Sequence, residues 1–155
     1  MRLQVNGEVI EEEISPNLTL LDFLRNRLKL TSAKKGCDMG ECGTCTVLLD
    51  GKPVRSCLLL AVQVENSEIT TLEGLSKGGH LNVIQEAFIE KYGFQCGFCT
   101  PGMILATKSL LDQNPTPTLE DVKEALEGNL CRCTGYEQII ESVQRAAELI
   151  QRNPE

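Results

Sequence analysis

The chain has 155 residues, eight cysteines, a formal net charge of −7, no tryptophan and only 4% aromatic residues. This acidic balance opposes binding to nucleic acid or anionic membranes, and the few aromatic side chains leave no platform for base stacking. The longest apolar run, Cys57–Val62, is far too short to span a membrane, and the N-terminus lacks a secretory-type apolar run. We therefore expect a soluble cytoplasmic protein with reduced thiols rather than disulfides.

Strand and turn signals in the first half predict a small α+β domain. Alternating apolar and polar residues beside turn residues indicate hairpins, and leucines at helical spacing indicate an amphipathic helix. The predicted elements are a hairpin over residues 2–14 turning at Asn6-Gly7, a helix over Leu20–Leu28 capped by Thr19, an irregular loop over residues 31–45, a hairpin of Thr46–Leu49 and Lys52–Arg55, and a strand over Ile69–Leu72.

The second half, beyond a glycine-containing linker at Gly74–His80, has a helical pattern. The predicted helices are one with Leu81, Ile84 and Phe88 inward, one over residues 101–112, one capped by Thr118 with Leu119, Val122 and Leu126 inward, and one from about Tyr136 that frays at Arg152–Glu155. The second of these is apolar on nearly every side and should be central. Four such helices suggest a compact bundle, which divides the chain into residues 1–76 and 77–155.

The cysteines fall into two sets of four. The first set has the spacing Cys37-x4-Cys42-x2-Cys45 followed by Cys57, which is the plant-type ferredoxin spacing for a [2Fe–2S] cluster. Glycines within the loop would let its backbone turn toward a cluster and donate N–H groups to sulfur. Zinc is the main rival because four thiolates also suit it, although zinc sites more often pair two Cys-x2-Cys knuckles. The spacing favours iron–sulfur.

The second set consists of Cys96, Cys99, Cys131 and Cys133. Its spacing alone predicts a four-thiolate site and leaves iron–sulfur and structural zinc open. The exclusive use of cysteine and the neighbouring first set favour iron–sulfur.

A threonine follows a cysteine directly in both loops of the second set. Thr100 with Pro101 is a typical helix start, and Thr134 with Glu137 reads as a capping box. Each loop would then aim a positive helix N-terminus at an anionic cluster, which favours uptake of an electron.

Three segments resemble those of a known family: KGCDMGECGTCTV, QCGFCTPG and GNLCRCTGY. They are similar to segments of the small iron–sulfur subunit of molybdenum hydroxylases, a group that includes xanthine dehydrogenase, aldehyde oxidoreductase, nicotinate dehydrogenase, carbon monoxide dehydrogenase and 4-hydroxybenzoyl-CoA reductase. The resemblance covers nearly the whole chain.

The resemblance implies a β-grasp ferredoxin-like domain followed by a four-helix bundle, each with one [2Fe–2S] cluster. It implies that the first set ligates one cluster and the second set the other, and that Gln95 lies near the molybdopterin of a partner. Electrons would pass from a molybdenum cofactor on a large subunit through the second-set and first-set clusters to FAD on a medium subunit or to another acceptor. Substrates of such complexes include purines, N-heterocycles, aldehydes and aromatic compounds.

The remaining polar residues offer no substrate chemistry. Arg132, between two cysteines, could raise a cluster potential or simply be solvated, and His80 in the linker is typical of a solvated turn. The sequence contains no nucleophile with its base, phosphate loop or paired-carboxylate pattern, so we expect no catalytic residues in this chain. A zinc-stapled adaptor and a free-standing ferredoxin remain the alternatives.

Overall fold

The computed structural model describes residues 1–152. The regular elements are β1 (Arg2–Val5), β2 (Glu8–Glu11), α1 (Leu20–Asp22) with a π-helical turn (Phe23–Arg27), β3 (Thr46–Leu49), β4 (Lys52–Arg55), a 3-10 turn (Ala61–Val64), β5 (Glu68–Thr70), a second 3-10 turn (Leu72–Leu75), α2 (Val83–Glu90), α3 (Thr100–Gln113), α4 (Leu119–Leu126) and α5 (Glu137–Arg152). Of the segment predicted to fray, Arg152 ends α5 and residues 153–155 lie outside the described range.

The five strands form one mixed sheet in the order β2-β1-β5-β3-β4. Strand β1 pairs antiparallel with β2 and parallel with β5, which places the last strand at the centre of the sheet. Asn6 and Gly7 have φ of 52° and 87°, the positive values that a tight hairpin turn requires. Strand β5 begins one residue earlier than predicted and ends at Thr70, because Leu72 already belongs to a 3-10 turn.

The predicted first helix is present but changes its winding. Thr19 Oγ1 accepts a hydrogen bond from the N–H of Asp22 at 3.1 Å, as expected of a cap. The chain then passes into the π-helical turn, closed by the N–H of Leu28 donating to the carbonyl of Phe23. Leucines of this segment are buried in one hydrophobic core with Cys45 and Cys57, so the helix packs behind the first cysteine set.

The helices of the second half share a separate core, and α3 is the most deeply buried of them. Its Ser109 hydroxyl donates to the carbonyl of Gly51 at 2.9 Å, and Leu48 of β3 joins the helical core, so α3 packs against the sheet. The prediction of a central second helix is confirmed.

Two predicted inward leucines are exposed. Leu119, 45% exposed, opens α4, where the neighbouring Thr118 and Glu120 are also exposed. Leu81, also 45% exposed, precedes α2, because Asn82 caps that helix by accepting from the N–H of Ile84. Within residues 1–152 no helix combines the length and apolarity needed to cross a membrane.

Candidate iron–sulfur centres

The first cysteine set lies on the loop before β3 and just after β4. Cys45 and Cys57 are buried, and their Sγ atoms are 3.3 Å apart, much longer than a disulfide bond. Burial and the neighbouring Cys45 thiol raise the pKa of Cys57 to about 11. Such a thiol keeps its proton at neutral pH, and a metal ion that binds it must displace that proton.

The other two thiols of the first set, Cys37 and Cys42, are half-buried, and Cys37 Sγ accepts hydrogen bonds from backbone N–H groups. The N–H groups of Met39 and Cys42 donate to Cys37 Sγ at 3.5 and 3.4 Å. These donors lower the pKa of Cys37 to about 7. The loop therefore stabilises a thiolate before any metal arrives.

Glycine is required where this loop folds over its own sulfurs. A Cβ on Gly36 would lie 2.7 Å from Thr44 Oγ1 and 2.8 Å from Cys42 Sγ. At Gly40, φ is 89° and a Cβ would lie 2.7 Å from Leu58 Cδ1. The close approach at Gly36 and the positive φ at Gly40 favour glycine at both positions, and an inward turn toward a cluster stays a prediction.

The second cysteine set is built from two loops that flank the α3–α4 pair. Cys99 is buried and directly precedes α3, whereas Cys96 and Cys133 are exposed. Burial and the hydrogen bond with Cys131 raise the pKa of Cys99 to about 12. The N–H of Phe98, followed by the Cys133 thiol, lowers the pKa of Cys96.

The sulfurs of both sets are arranged in pairs. In the first set Cys37 contacts Cys42, and Cys45 contacts Cys57. In the second set the Cys96 thiol lies close to that of Cys133, and the Cys99 thiol lies close to that of Cys131. Each set thus has one deeper and one more exposed pair.

Both threonines predicted as helix caps serve other roles, and these two predictions are wrong. Thr100 lies inside the first turn of α3, with Cys99 at the cap position, and its Oγ1 is buried without a hydrogen-bond partner among residues 1–152. Thr134 Oγ1 accepts a hydrogen bond from the N–H of Tyr136, two residues further on, at 3.1 Å. The same oxygen lies 3.2 Å from Cys131 Sγ. A cap was expected because both residues lie at helix starts, yet Thr100 Oγ1 caps nothing and Thr134 Oγ1 lies against the Cys131 sulfur instead.

The two cysteine loops meet at a contact that sequence reasoning missed, here named the loop junction: Arg55, Thr46, Gly43, Gly128 and Asn129. The Arg55 guanidinium donates to the carbonyl of Gly128 and, at 2.8 Å, to Thr46 Oγ1. Thr46 in turn donates to the carbonyl of Gly43 at 2.7 Å. No spacing rule reveals this junction, because its members are distant in sequence and polar in type.

The loop junction leaves no room for larger residues. At Gly43, φ is 72°, and a Cβ there would lie 2.5 Å from Asn129 Oδ1. A Cβ on Gly102 of α3 would lie 2.6 Å from the carbonyl oxygen of Gly43. Backbone therefore touches backbone where the two halves of the chain meet.

Tyr136, predicted only as the approximate start of the last helix, also supports the second cysteine set. Its φ is 70°, and its hydroxyl accepts a hydrogen bond from the N–H of Cys131 at 3.0 Å while donating to the carbonyl of Asn129 at 3.3 Å. The phenol therefore fixes the backbone that carries Cys131.

The other singled-out residues lie at the surface. Gln95 is exposed on the loop directly before Cys96, and Arg132 and His80 are exposed as well. Lys34 is half-buried, with its Nζ 5.6 Å from the centroid of the Phe98 ring, which brings the first cysteine loop against the second.

The residues present fit two binuclear clusters. All eight cysteines are free thiols, and a thiolate-only donor set suits iron–sulfur chemistry. Thiols that gather in pairs suit a cluster of two irons, and the unpartnered Thr100 hydroxyl beside Cys99 would find an acceptor on such a cluster's sulfur.

Comparison with known families agrees with this chemistry. Residues 3–75 match the family described as 2Fe-2S iron-sulfur cluster binding domain, and residues 71–144 match the family described as [2Fe-2S] binding domain. The fold and the thiol sets thus define a protein with two iron–sulfur domains.

Similar proteins and solved structures indicate which class of iron–sulfur protein this chain resembles. The chain is 50% identical over 148 residues to the nicotinate dehydrogenase small FeS subunit of Eubacterium barkeri, covering 96% of this chain and 94% of the relative. Among solved structures, quinoline 2-oxidoreductase from Pseudomonas putida 86 matches with a TM-score of 0.92 and 46% identity over 99% of this chain and 97% of that one. Aldehyde oxidoreductase from Desulfovibrio desulfuricans matches with a TM-score of 0.94 and 46% identity over 97% of this chain and 17% of that longer chain.

The chain belongs to the family of small iron–sulfur subunits of molybdenum hydroxylases, whose members are electron-transfer subunits of oxidoreductase complexes. The resemblance inferred from the three cysteine motifs is confirmed.

Proposed function

We propose that the eight cysteines ligate two [2Fe–2S] clusters. Cys37, Cys42, Cys45 and Cys57 would hold one cluster, and Cys96, Cys99, Cys131 and Cys133 the other. The observation that carries this assignment is the pairing of sulfurs within each set, since each iron of a binuclear cluster takes two thiolates. Bound clusters supply one-electron redox chemistry, and the chain supplies the thiolates, the N–H donors and the burial.

Two structural domains accompany these sets. We infer a β-grasp ferredoxin-like domain over residues 1–76 and a four-helix-bundle domain over residues 77–155. The separate hydrophobic cores and the parallel pairing of β1 with β5 support this division. Helices α2 to α5 pack on one another around the second core, as expected of a bundle.

The chain would relay single electrons within a cytoplasmic complex. We propose that it takes them from a molybdenum cofactor on a large molybdopterin-binding subunit and delivers them to FAD on a medium subunit or to another acceptor. The exposed pair Cys96 and Cys133 supports entry of electrons at the second set, because a partner can approach it directly. The substrate, a purine, N-heterocycle, aldehyde or aromatic compound, would bind on the large subunit.

Gln95 would lie near the molybdopterin of that partner. Its exposure next to the exposed Cys96 supports this role, since its side chain is free to contact a docked subunit. The exposed Phe94 and Phe98 flank the same loop and would be covered in the complex.

Metal and sulfide analysis of the purified chain tests the cluster assignment. Two binuclear clusters predict about four irons and four acid-labile sulfides per chain, with visible absorption and two distinct EPR signals after reduction. A colourless chain that contains zinc would instead identify an adaptor protein. A chain with both clusters that fails to copurify with a large subunit would identify a free-standing ferredoxin.

A further inference from the structure

Thr134 makes a side-chain contact with one particular thiol. Its Oγ1 lies 3.2 Å from Cys131 Sγ, and the same oxygen accepts the N–H of Tyr136 at 3.1 Å. The amide occupies one lone pair of the hydroxyl oxygen and so fixes its position. The hydroxyl hydrogen is left to donate toward the sulfur.

The direction of this hydrogen bond follows from the chemistry of a ligand. A cysteine that binds iron is a thiolate and has no proton to donate. The threonine must then be the donor, and its hydrogen bond is charge-assisted. Hydrogen bonds to the sulfurs are among the factors that set the potential of an iron–sulfur cluster.

The corresponding threonine of the first set, Thr44, divides its hydroxyl hydrogen between two acceptors. Thr44 Oγ1 lies 3.3 Å from Cys42 Sγ, but it also donates to the carbonyl of Lys34 at 3.1 Å. One hydroxyl proton cannot serve both acceptors at full strength. Thr44 should therefore affect its sulfur less than Thr134 affects Cys131.

We propose, on the basis of the cluster-binding function above, that Thr134 is a positioning residue that raises the reduction potential of the second-set cluster through its hydroxyl hydrogen bond to Cys131. A hydroxyl donor stabilises the more negative, reduced cluster more than the oxidised one. The effect should be specific to the second set, because Cys131 and Tyr136, the two partners of the Thr134 hydroxyl, both belong to the loop of that set.

Redox titration of the full, cluster-loaded chain, followed by EPR with dithionite as reductant, tests this role. Thr134→Val removes the donor, and the potential of the second-set cluster should become more negative by about 59 mV for a tenfold loss in the one-electron reduction equilibrium. The first-set potential should stay unchanged. Thr134→Ser keeps a hydroxyl and should restore the original value. The exposed Thr116, in the loop between α3 and α4, provides the control Thr116→Val, which should shift neither cluster.

An unchanged second-set potential in Thr134→Val, with that cluster present, would overturn the proposal while leaving the cluster assignment intact. Absence of iron and sulfide from the unmodified chain would instead overturn the cluster assignment. If Thr134→Val does not hold the second cluster, Thr134→Ala provides the measurement, because it adds no new methyl beside the sulfur. Loss of the cluster in both variants would also overturn the proposal, since the threonine would then be required for assembly rather than for the potential.

Discussion

The carbonyl oxygen of Cys42 accepts a hydrogen bond from the N–H of Leu130 at 2.9 Å. Cys42 is a proposed ligand of the first-set cluster, and Leu130 directly precedes Cys131 of the second set. One backbone hydrogen bond therefore joins the two cysteine loops. The loop junction surrounds this bond, with the Arg55 guanidinium bridging the carbonyl of Gly128 and the Thr46 hydroxyl.

Removing the Arg55 guanidinium should loosen the two halves of the chain. Arg55→Met leaves the Gly128 carbonyl without its donor, and we expect the free energy of unfolding to fall by about 1–3 kcal/mol. Arg55→Lys should recover only part of this loss, because one ammonium cannot bridge two acceptors as the planar guanidinium does. Urea unfolding measures the effect. The exposed Arg132 provides the control Arg132→Met, and equal losses in both variants would argue against the bridge.

Single cysteine substitutions should separate the two clusters. Cys99→Ser should abolish the EPR signal of the second-set cluster and destabilise the helices, because Cys99 is buried and directly precedes α3. Cys45→Ser should remove the first-set signal and leave the second. EPR of the reduced chains, with iron analysis, makes the comparison. Loss of the first-set signal alone in Cys99→Ser would contradict the proposed ligand sets.

Gln95→Ala should slow reduction of the clusters by substrate in the assembled complex. The side chain is exposed beside Cys96, so its removal should leave both clusters in place while removing a contact to the partner's cofactor. Rapid-reaction absorbance measures the rate. Gln144→Ala, at an exposed position of α5, is the matched control. Identical rates for the two variants and the unmodified chain would exclude Gln95 from electron entry.

Glu73 should make stability depend on pH in acid. Burial alone would raise the pKa of this carboxyl, but hydrogen bonds from Ser32 and Thr71 hold it below the usual 4.5. Because the folded-state pKa is the lower one, the stabilisation is complete above about pH 4.5 and is lost as pH falls through the folded value.

Glu73→Gln should therefore reduce the free energy of unfolding by about 1 kcal/mol or less near neutrality, since the carboxylate remains in contact with solvent. It should also weaken the loss of stability between mildly and strongly acidic pH. Thermal unfolding across this range measures both effects. Glu8→Gln, at an exposed strand position, should keep the acid dependence, and the idea fails if Glu73→Gln keeps it too.

The sequence predicted most elements, because local signals specify them. The Asn6-Gly7 turn, the Thr19 cap and the apolar α3 all act over a few residues, and each prediction is confirmed. The predictions that Thr100 and Thr134 cap helices are wrong for the same reason. A capping motif looks identical whether the hydroxyl serves a helix or a sulfur, and only the folded loop distinguishes the two.

The site could be predicted in its ligand types but not in its internal pairing. Spacing places Cys37, Cys42 and Cys45 on one loop, yet it gives no reason why Cys57 should contact Cys45 rather than another thiol. The bridge from Arg55 to Gly128 was equally invisible, because it joins residues from the two halves of the chain. Such contacts depend on how α3 packs on β3, which no local pattern encodes.

Gly43 and Gly102 lie where the first cysteine loop packs closely against the second loop and against α3, since a Cβ at either position would clash with a backbone oxygen. Electron tunnelling rates fall exponentially with distance, and we expect this close backbone packing to hold the distance between the two cysteine sets nearly constant. Both cores can accept volume-conserving substitutions while the spacing between the redox centres stays the same. The sequence of the chain can thus diverge to suit different partner subunits without changing the rate of electron transfer between its own two centres.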